Sequence, residues 1–264
     1  MIRLRGEGIP HRPPMTGTTD PATIVIDTLL AHRSIRRFSK DPVAEDDLRR
    51  AVAAGQKAAT SSNIQAYCAI RIRDQGRLDR VVELTGGQRK VAECGAFPVI
   101  CGDTRRHRII AERAGTSHVS NLEAFMLATI DVALFAQNMV VALESLGYGT
   151  CYIGGLRDDP AAVHEVLGTP EGVWPVFGLC VGRPDQEPES RPRLHAGAVL
   201  SEEAYPEDDE MLAFVDEYDR RMASWCERQG MDTPDWSSRI EKHFQERRRP
   251  RNSEWYREAG ADFE

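Results

Sequence analysis

Three short segments of the chain combine small residues with arginine, and each could form part of one binding pocket. Residues 152–157 read Tyr-Ile-Gly-Gly-Leu-Arg, residues 32–36 read His-Arg-Ser-Ile-Arg, and residues 191–193 read Arg-Pro-Arg. Paired glycines after an apolar strand let backbone N–H groups approach a flat ring closely. Guanidinium groups suit phosphate and the electron-rich edge of a heterocycle. We therefore interpret the segments as three walls of a pocket for flavin mononucleotide (FMN), which indicates a redox enzyme.

Other common chemistries find no support in the sequence. The chain has no Gly-x-Gly-x-x-Gly after a strand and no P-loop motif, which argues against a Rossmann or P-loop nucleotide site. It lacks Gly-x-Ser-x-Gly, and its seven histidines show no metal-ligand spacing, so neither an α/β-hydrolase nor a metal site is expected. An arginine cluster or a Gly-Gly pair alone is usually a solvated surface or a turn. The three segments are more informative together, because each lies where a helix or strand meets a loop and ligand groups are usually presented there.

Composition indicates a globular protein that acts on small molecules in the cytoplasm. The 264 residues are 41% hydrophobic and carry a formal net charge of −7, which argues against a nucleic-acid partner. No apolar run approaches the roughly 20 residues of a membrane span, and the N-terminus lacks the apolar core of a signal peptide. The six cysteines form no Cys-x-x-Cys pair, so buried free thiols in a reducing compartment are expected.

Hydrophobic periodicity predicts more helix than strand. Short strands are expected at residues 69–72, 98–101, 149–153 and 176–181. Helices are expected at residues 23–31, 44–59, 208–228 and 236–248. The longest helix, residues 121–146, is apolar nearly all round, with Ser120 as its cap, Glu123 three residues later and Gly147 past its end. Such a helix belongs in the centre of a domain or at a subunit interface.

The pattern favours a layered α+β fold over a doubly wound sheet. Residues 1–20 are rich in Pro, Gly and Thr and are expected to form a flexible tail. A cofactor-binding core is expected over residues 21–206, and a helical C-terminal extension of the same domain over residues 207–264. No internal repeat or low-complexity linker divides the chain.

The first three segments belong to a larger set of seven, which follow one another along the chain. They are residues 32–38, 60–65, 84–88, 144–147, 152–157, 177–182 and 191–194. Together they resemble the oxygen-insensitive nitroreductases and NADPH:flavin oxidoreductases, most closely their flavin-reductase-like branch. The resemblance implies a nitroreductase-like α+β fold, with a central mostly antiparallel sheet flanked by helices. It also implies an interlocked homodimer with two FMN molecules at the subunit interface.

The resemblance implies roles for the polar residues at the two ends of FMN. The residues expected to hold the phosphate, or to lie close to it, are His32, Arg33, Ser34, Arg191 and Arg193. Arg36 is expected at the pyrimidine edge of the flavin, where a cation stabilises the negative charge of the reduced ring.

Around the flavin ring, the resemblance implies contacts from three further segments. Gln88 is expected to hydrogen-bond the ring or the ribityl chain. The neighbouring subunit is expected to contribute Thr60, Ser61 and Asn63. The strand end is expected to line the ring through Tyr152, Ile153, Gly154 and Gly155, with a glycine N–H near flavin N5.

The implied reaction is a ping-pong transfer of two electrons from NADPH or NADH, through FMN, to a nitroaromatic, a quinone or free flavin, so no catalytic side chain is expected. Contacts with NAD(P)H or substrate are expected from Arg157, Arg228 and Arg249. Relatives that prefer NADPH carry closely spaced arginines after Gly230, whereas this chain reads Met-Asp-Thr-Pro-Asp there. The preference for NADPH over NADH is therefore expected to be modest. The arginines of a slightly long lid, residues 104–120, are expected to be solvated.

Three other functions stay open at this stage. The chain could be a flavoenzyme that reduces one particular metabolite of a pathway, or a flavin-binding protein with little turnover. It could also be an α+β binding domain whose arginines only keep it soluble. Bound yellow flavin and its bleaching by NADPH distinguish these functions.

Overall fold

The computed structural model describes residues 23–232, 235–261 and 263, and the predicted tail over residues 1–20 lies outside them. Four strands form one antiparallel sheet in the order β1-β2-β4-β3. They are β1 Tyr67–Ile72, β2 Phe97–Asp103, β3 Gly149–Ile153 and β4 Val173–Gly182. All four predicted strands are confirmed, β3 with its exact bounds, and the other three extend further than the sequence pattern indicated.

The described part of the chain contains ten α-helices. They are α1 Ile24–Leu30, α2 Glu45–Gly55, α3 Gln75–Leu84, α4 Lys90–Glu93, α5 Arg105–Arg113, α6 Leu122–Ser145, α7 Pro160–Leu167, α8 Asp208–Arg228, α9 Trp236–Phe244 and α10 Asn252–Glu258. The five predicted helices are confirmed, but α2 and α9 each end four residues earlier than expected. The other five, α3, α4, α5, α7 and α10, had no counterpart in the predictions.

Helices cover both faces of the sheet, so β2 is buried along its whole length. Side chains alternate between the faces of a strand. Accordingly Phe97, Val99 and Cys101 of β2 pack into a core with α3 and α7, whereas Ile100 points into the core formed with α2 and α6.

The helix α6 lies at the centre of the second core. Asn121 is its cap and accepts a 2.9 Å hydrogen bond from Ala124 N, so the expectation of Ser120 as the cap was wrong. Gly147 follows the helix with φ +80° and reverses the chain, as predicted. By length and composition this helix could cross a membrane, but eight of its residues are buried in the core, which identifies it as a core helix.

One side of α6 is nonetheless apolar and uncovered in the single chain. The residues on this stripe recur every four positions, and 44–48% of each is exposed: Leu122, Met126, Ile130 and Leu134. A spacing of four residues places them on one helix face. The structure therefore divides a helix that the sequence showed as apolar on every side into a core face and an outer stripe.

The C-terminal extension contributes two smaller clusters. Helices α8 and α9 share a cluster built on Tyr218, Met222 and Trp225. Helix α10 returns to the sheet, where the hydroxyl of Tyr256 donates to Pro175 O at 3.2 Å. Through these contacts the extension lies against the edge of the core from which the candidate site is built.

The predicted lid, residues 104–120, begins with α5, and one of its arginines is not solvated. Arg106 pairs with Asp103 at 3.0 Å, but its side chain stays 54% exposed. Arg108, whose side chain is only 15% exposed, donates to Gly260 O at 2.7 Å. The expectation of solvated arginines was therefore wrong for Arg108, because its acceptor comes from a distant part of the chain that the sequence pattern did not connect.

Candidate cofactor-binding site

The turn after β3 brings a stretch of bare backbone against the end of α3. A Cβ atom on Gly155 would lie 2.8 Å from Nε2 of Gln88 and 3.2 Å from Cβ of Thr85. A side chain at this position would have to displace the end of the Gln88 side chain and press on Thr85, so only glycine leaves the contact undisturbed. The structure thus brings Gln88 and the paired glycines together, although they are more than sixty residues apart in sequence.

Gln88 reaches this turn because two glycines end α3. Gly86 and Gly87 have φ values of +72° and +77°, which L-residues with side chains rarely adopt. Gly87 N donates to Val82 O at 2.8 Å and closes the helix end. The amide of Gln88 then donates to Thr85 O at 2.9 Å, which fixes its side chain beside Gly155.

Two arginines hold the opposite side of the same turn. Arg157 donates to Val176 O at 2.7 Å, and its guanidinium group lies 3.1 Å from the position of a Cβ on Gly154. Arg249 pairs with Asp158 at 2.7 Å and donates to Gly154 O at 3.3 Å. Burial first, and then the positive charge of Arg249, lower the pKa of Arg157. The two predicted substrate arginines therefore adjoin the glycine turn.

The segment of residues 32–36 runs beside β3 with alternate side chains facing opposite ways. Ile35 N donates to Thr150 O at 2.9 Å, and the Ile35 side chain is buried against Gly149. Ser34 and Arg36, on either side of Ile35, face away from the core, and Arg36 is exposed. This register explains why the predicted ligands alternate with an apolar residue.

His32 is oriented by a carboxylate from α6. Its Nδ1 lies 2.7 Å from Oε1 of Glu144, which also accepts a 3.0 Å hydrogen bond from Thr150 Oγ1. Because a carboxylate only accepts hydrogen bonds, Nδ1 carries the proton in this contact. The other ring nitrogen, Nε2, is left for a ligand.

Cations approach β3 from two directions and connect the ring-facing turn with the 32–36 segment. Burial raises the pKa of the Cys151 thiol, and the positive charges of Arg36 and Lys90 oppose that rise. Lys90 also donates to Oε1 of Gln88 at 2.8 Å. Lys90 was missed in the sequence, where its position two residues after Gln88 at the start of α4 was the available signal.

The third predicted segment, residues 191–193, is held by α8. The guanidinium carbon of Arg191 lies 5.0 Å from the ring centre of Trp225, and Tyr218 donates its hydroxyl to Pro192 O at 3.0 Å. Partial burial, followed by the charges of Arg239, Arg36 and Arg193, lowers the pKa of Arg191. The structure therefore brings the segments of residues 32–36 and 191–193 together, and it adds Arg239, which the sequence analysis did not identify.

The segment of residues 60–65 has an unusual backbone. Three of its non-glycine residues, Ser62, Asn63 and Gln65, have φ values of +48°, +56° and +50°. The following residue is fixed, since Ala66 N donates to the buried carboxylate of Asp131 at 2.9 Å. Burial raises the pKa of Asp131, and the hydrogen bond from Ala66 opposes that rise. Thr60, Ser61 and Asn63 thus lie on a strained loop that is firmly anchored at its end.

Three predicted contacts are arranged differently from the rest. Among the described residues, the partners of Arg228 are Glu189 at 2.7 Å and Ser224, and none of these contacts places it beside Arg157 or Arg249. Tyr152 donates to Gln137 of α6 at 3.4 Å. Ile153 is buried in the sheet core, so it can approach a ligand only through its main chain.

An open cavity of about 480 Å³ lies on the other side of the 32–36 segment. Its lining includes Arg33, which pairs with Glu187 at 3.3 Å, and residues of α1 and of the end of α6. Arg36, Gln88 and Gly154 do not line it. The cavity therefore adjoins the predicted phosphate segment but does not contain the ring-facing turn, and we place the candidate site at the turn because the functional groups converge there.

Comparison with known proteins agrees with this geometry. Residues 29–183 match the model of the nitroreductase family, and residues 191–264 match the model of the nitroreductase family C-terminal domain. The oxygen-insensitive NADPH nitroreductase of Salmonella typhimurium is 38% identical over 85% of this chain and 92% of its own length. The FMN reductase (NADPH) of Bacillus subtilis is 37% identical over 89% of this chain and 97% of its own length.

The fold matches solved structures as well. The NADPH:FMN oxidoreductase from Vibrio harveyi, solved in complex with NAD⁺, superimposes with a TM-score of 0.83. It is 33% identical in sequence, and the match covers 90% of this chain and 98% of the other. On this sequence and structural evidence, the chain belongs to the nitroreductase family.

Proposed function

We propose that this protein is an FMN-dependent NAD(P)H oxidoreductase that delivers two electrons to small acceptors such as nitroaromatics, quinones or free flavin. One observation carries the proposal: a turn of two glycines, packed closely against Gln88 and Thr85, lies beside several cationic groups at the end of β3. Members of the same family bear names that specify NADPH as reductant and FMN or flavin as acceptor.

The residues of the site fit FMN. A flat ring needs backbone free of side chains, and Gly154 and Gly155 present two such residues directly after β3. A phosphate needs positive charge that is not already neutralised. Arg191 lies among other guanidinium groups, and none of the described neighbours that act on it is a carboxylate.

The protein positions the cofactor and supplies no nucleophile. His32 presents Nε2 to the phosphate because Glu144 holds Nδ1, and Arg191 and Arg193 add positive charge. Arg36 stabilises negative charge at the pyrimidine edge, and Gln88 holds the ring side. FMN, when bound, supplies the two-electron chemistry between NAD(P)H and the acceptor. We assign Arg157 and Arg249, which adjoin the glycine turn, to an anionic group of the substrate.

The same proposal includes a homodimer in the cytoplasm. The uncovered apolar stripe of α6 is a surface that a second copy would bury. The strained 60–65 loop is anchored to α6 through Asp131, close to this stripe in sequence, and we assign Thr60, Ser61 and Asn63 to the flavin of the partner. The six cysteines are free thiols, which fits a reducing compartment.

The test begins with the purified protein and its apoprotein. We expect yellow protein with flavin absorbance, re-binding of FMN by the apoprotein, rapid bleaching by NADPH without oxygen, and return of the colour with a quinone, a nitroarene or free FMN. Parallel-line kinetics with two substrates would support a ping-pong scheme. Failure of the apoprotein to bind FMN would contradict the proposal, and binding without bleaching would leave only a flavin carrier.

A matched pair of variants tests the placement of the site. Arg36→Ala is expected to weaken FMN binding about tenfold, because a charged contact contributes roughly 1.5–3 kcal/mol. Arg80→Ala is the control, since Arg80 is exposed and, within the described part of the chain, its ion pair is with Glu83 one turn away. Equal FMN affinity and rate in both variants would show that Arg36 does not contact the cofactor.

A further inference from the structure

Arg239 lies in the part of the C-terminal extension that packs on the segment of residues 191–193. It lies on α9, three residues after Trp236, and residues so spaced share a helix face. Trp236 packs edge-to-face on Tyr218, with ring centres 5.5 Å apart. The same Tyr218 holds Pro192 through its hydroxyl. One aromatic side chain therefore connects the face of α9 that carries Arg239 with the segment of residues 191–193.

The start of α9 is fixed firmly enough to aim this arginine. Trp236 N and Ser237 N both donate to Oδ1 of Asp219 on α8 at 3.0 Å. The carboxylate of Asp235 caps the helix by accepting from Ser238 N at 2.7 Å. Arg239 is thus only one residue beyond a helix end that is tied by three hydrogen bonds.

The charges that act on Arg191 agree with this placement of Arg239. Of the cations that act on Arg191, Arg239 has the largest effect, ahead of Arg36 and of Arg193, which is only two residues away. Among the described residues, Arg239 forms no ion pair with a carboxylate. Four guanidinium groups at close range repel one another, and a doubly charged anion between them removes that repulsion.

We propose that Arg239 is a phosphate-binding and specificity-determining residue, which together with Arg191 grips a phosphomonoester dianion. Two ligands of the proposed reaction carry this group: FMN at its 5′ end and NADPH on its adenosine ribose. The inference rests on the proposed function and extends it. The loop after Gly230 lacks the arginines of relatives that prefer NADPH, and the nearby Arg228 forms an ion pair with Glu189. The chain would thereby obtain from α9 a cation that its sequence lacks in the preceding loop.

The experiment compares Arg239→Gln with Arg239→Lys and with the control Arg220→Gln. Arg220 lies exposed on the neighbouring helix α8, so its substitution changes net charge equally. The first measurement is FMN affinity of each apoprotein, from quenching of flavin fluorescence. The second is KM for NADPH and for NADH with FMN saturating. The wild type must first bind FMN and oxidise NADPH, since failure at that step concerns the proposed function and not Arg239.

Two results support the inference and separate its two sources. A fivefold or larger loss of FMN affinity in Arg239→Gln, with an unchanged ratio of the two KM values, assigns the residue to the FMN phosphate. A fivefold or larger rise in KM for NADPH alone assigns it to the 2′-phosphate. In either case Arg239→Lys is expected to be intermediate, because lysine keeps the charge but loses the two-pronged geometry.

The remaining results overturn the inference. One is that Arg239→Gln behaves like Arg220→Gln in both measurements. Another is that KM rises equally for NADPH and NADH while FMN affinity is unchanged, because such an effect does not depend on a phosphomonoester. If Arg239→Gln fails to fold, Arg239→Lys is measured instead, and the wild-type apoprotein is tested for competition between inorganic phosphate and FMN. The inference is overturned if Arg239→Lys has unchanged FMN affinity and KM values and phosphate does not compete.

Discussion

The two ends of the candidate site are built by different means. At the ring end, main-chain turns do the positioning: Gly86 and Gly87 redirect the chain after α3, and Gly155 packs against Gln88. At the phosphate end, long side chains from separate segments converge, and Arg191 is exposed to solvent although it stacks on Trp225. One end is thus defined by the absence of side chains, and the other by an excess of them.

The difference indicates that steric packing controls FMN binding at the ring end, whereas charge repulsion controls it at the phosphate end. The ring end is packed closely against Gln88 and Thr85, so added volume should disturb it more than a change of charge. Converging guanidinium groups repel one another, so the phosphate end needs an anion to become stable. The ring end is expected to be preorganised before FMN arrives, and the phosphate end to be completed by it.

The largest expected effect is steric and belongs to the ring end. Gly155→Val is expected to weaken FMN binding about a hundredfold, because overpacking of this kind costs roughly 1–3 kcal/mol and displaces Gln88. The matched control is Gly76→Ala on α3, where the nearest atom to the new Cβ is a carboxylate oxygen 3.3 Å away that can move aside. The comparison of the two ends breaks down if FMN titration shows equal affinity in both variants.

A smaller effect is electrostatic and belongs to the phosphate end. Arg191→Ala is expected to weaken FMN binding about tenfold at low salt and by less at high salt, because salt screens exposed charges. Gly155→Val should show the same loss at every salt concentration. Titrations at several salt concentrations check this contrast, and parallel salt curves for the two variants would mean that the ends do not differ in the way described.

The smallest effect concerns the anchor of the 60–65 loop and is seen in stability. Burial raises the pKa of Asp131 above its usual 3.8, so the folded protein holds this proton more tightly than the unfolded chain does. The contribution of Asp131 to stability is therefore greatest at low pH and falls as pH rises from about 4 through its raised folded pKa. Asp131→Asn keeps an acceptor for Ala66 N and removes this fall.

Urea unfolding at several pH values measures the difference. The stability of Asp131→Asn relative to the wild type is expected to increase with pH through this window and then to become constant. A pH-independent difference would show that Asp131 titrates alike in the folded and unfolded states. FMN affinity should stay near that of the wild type, because the loop remains attached.

The sequence predicted local features well and long-range partners poorly. The bounds of β3 and α8 were predicted exactly, because each is a continuous periodic run with clear ends. Arg239 was missed because charged helix faces look alike until the packing of Trp236 on Tyr218 selects one of them. Arg108 was misassigned to solvent, since its acceptor Gly260 O is 152 residues away.

The family resemblance identified more of the candidate site residues than hydrophobic periodicity did. The Gly154-Gly155 pair was recognisable as a motif, whereas its neighbour Lys90 follows from the fold alone, through Gln88 and Cys151. Helix α10 was not predicted because it is short and polar, and it buries Tyr256 only where the sheet offers Pro175 O. In both cases the missing information was the identity of the packing partner.

The left-handed backbone at Ser62, Asn63 and Gln65 has a consequence for engineering. Each such residue stores roughly 1–3 kcal/mol that glycine would release. A library selected for heat resistance alone would therefore accumulate glycine in this loop and lose the shape that the strain maintains. Substitutions meant to raise the unfolding temperature should therefore be made on the exposed faces of α8 and α9, and residues 60–65 should be left unchanged.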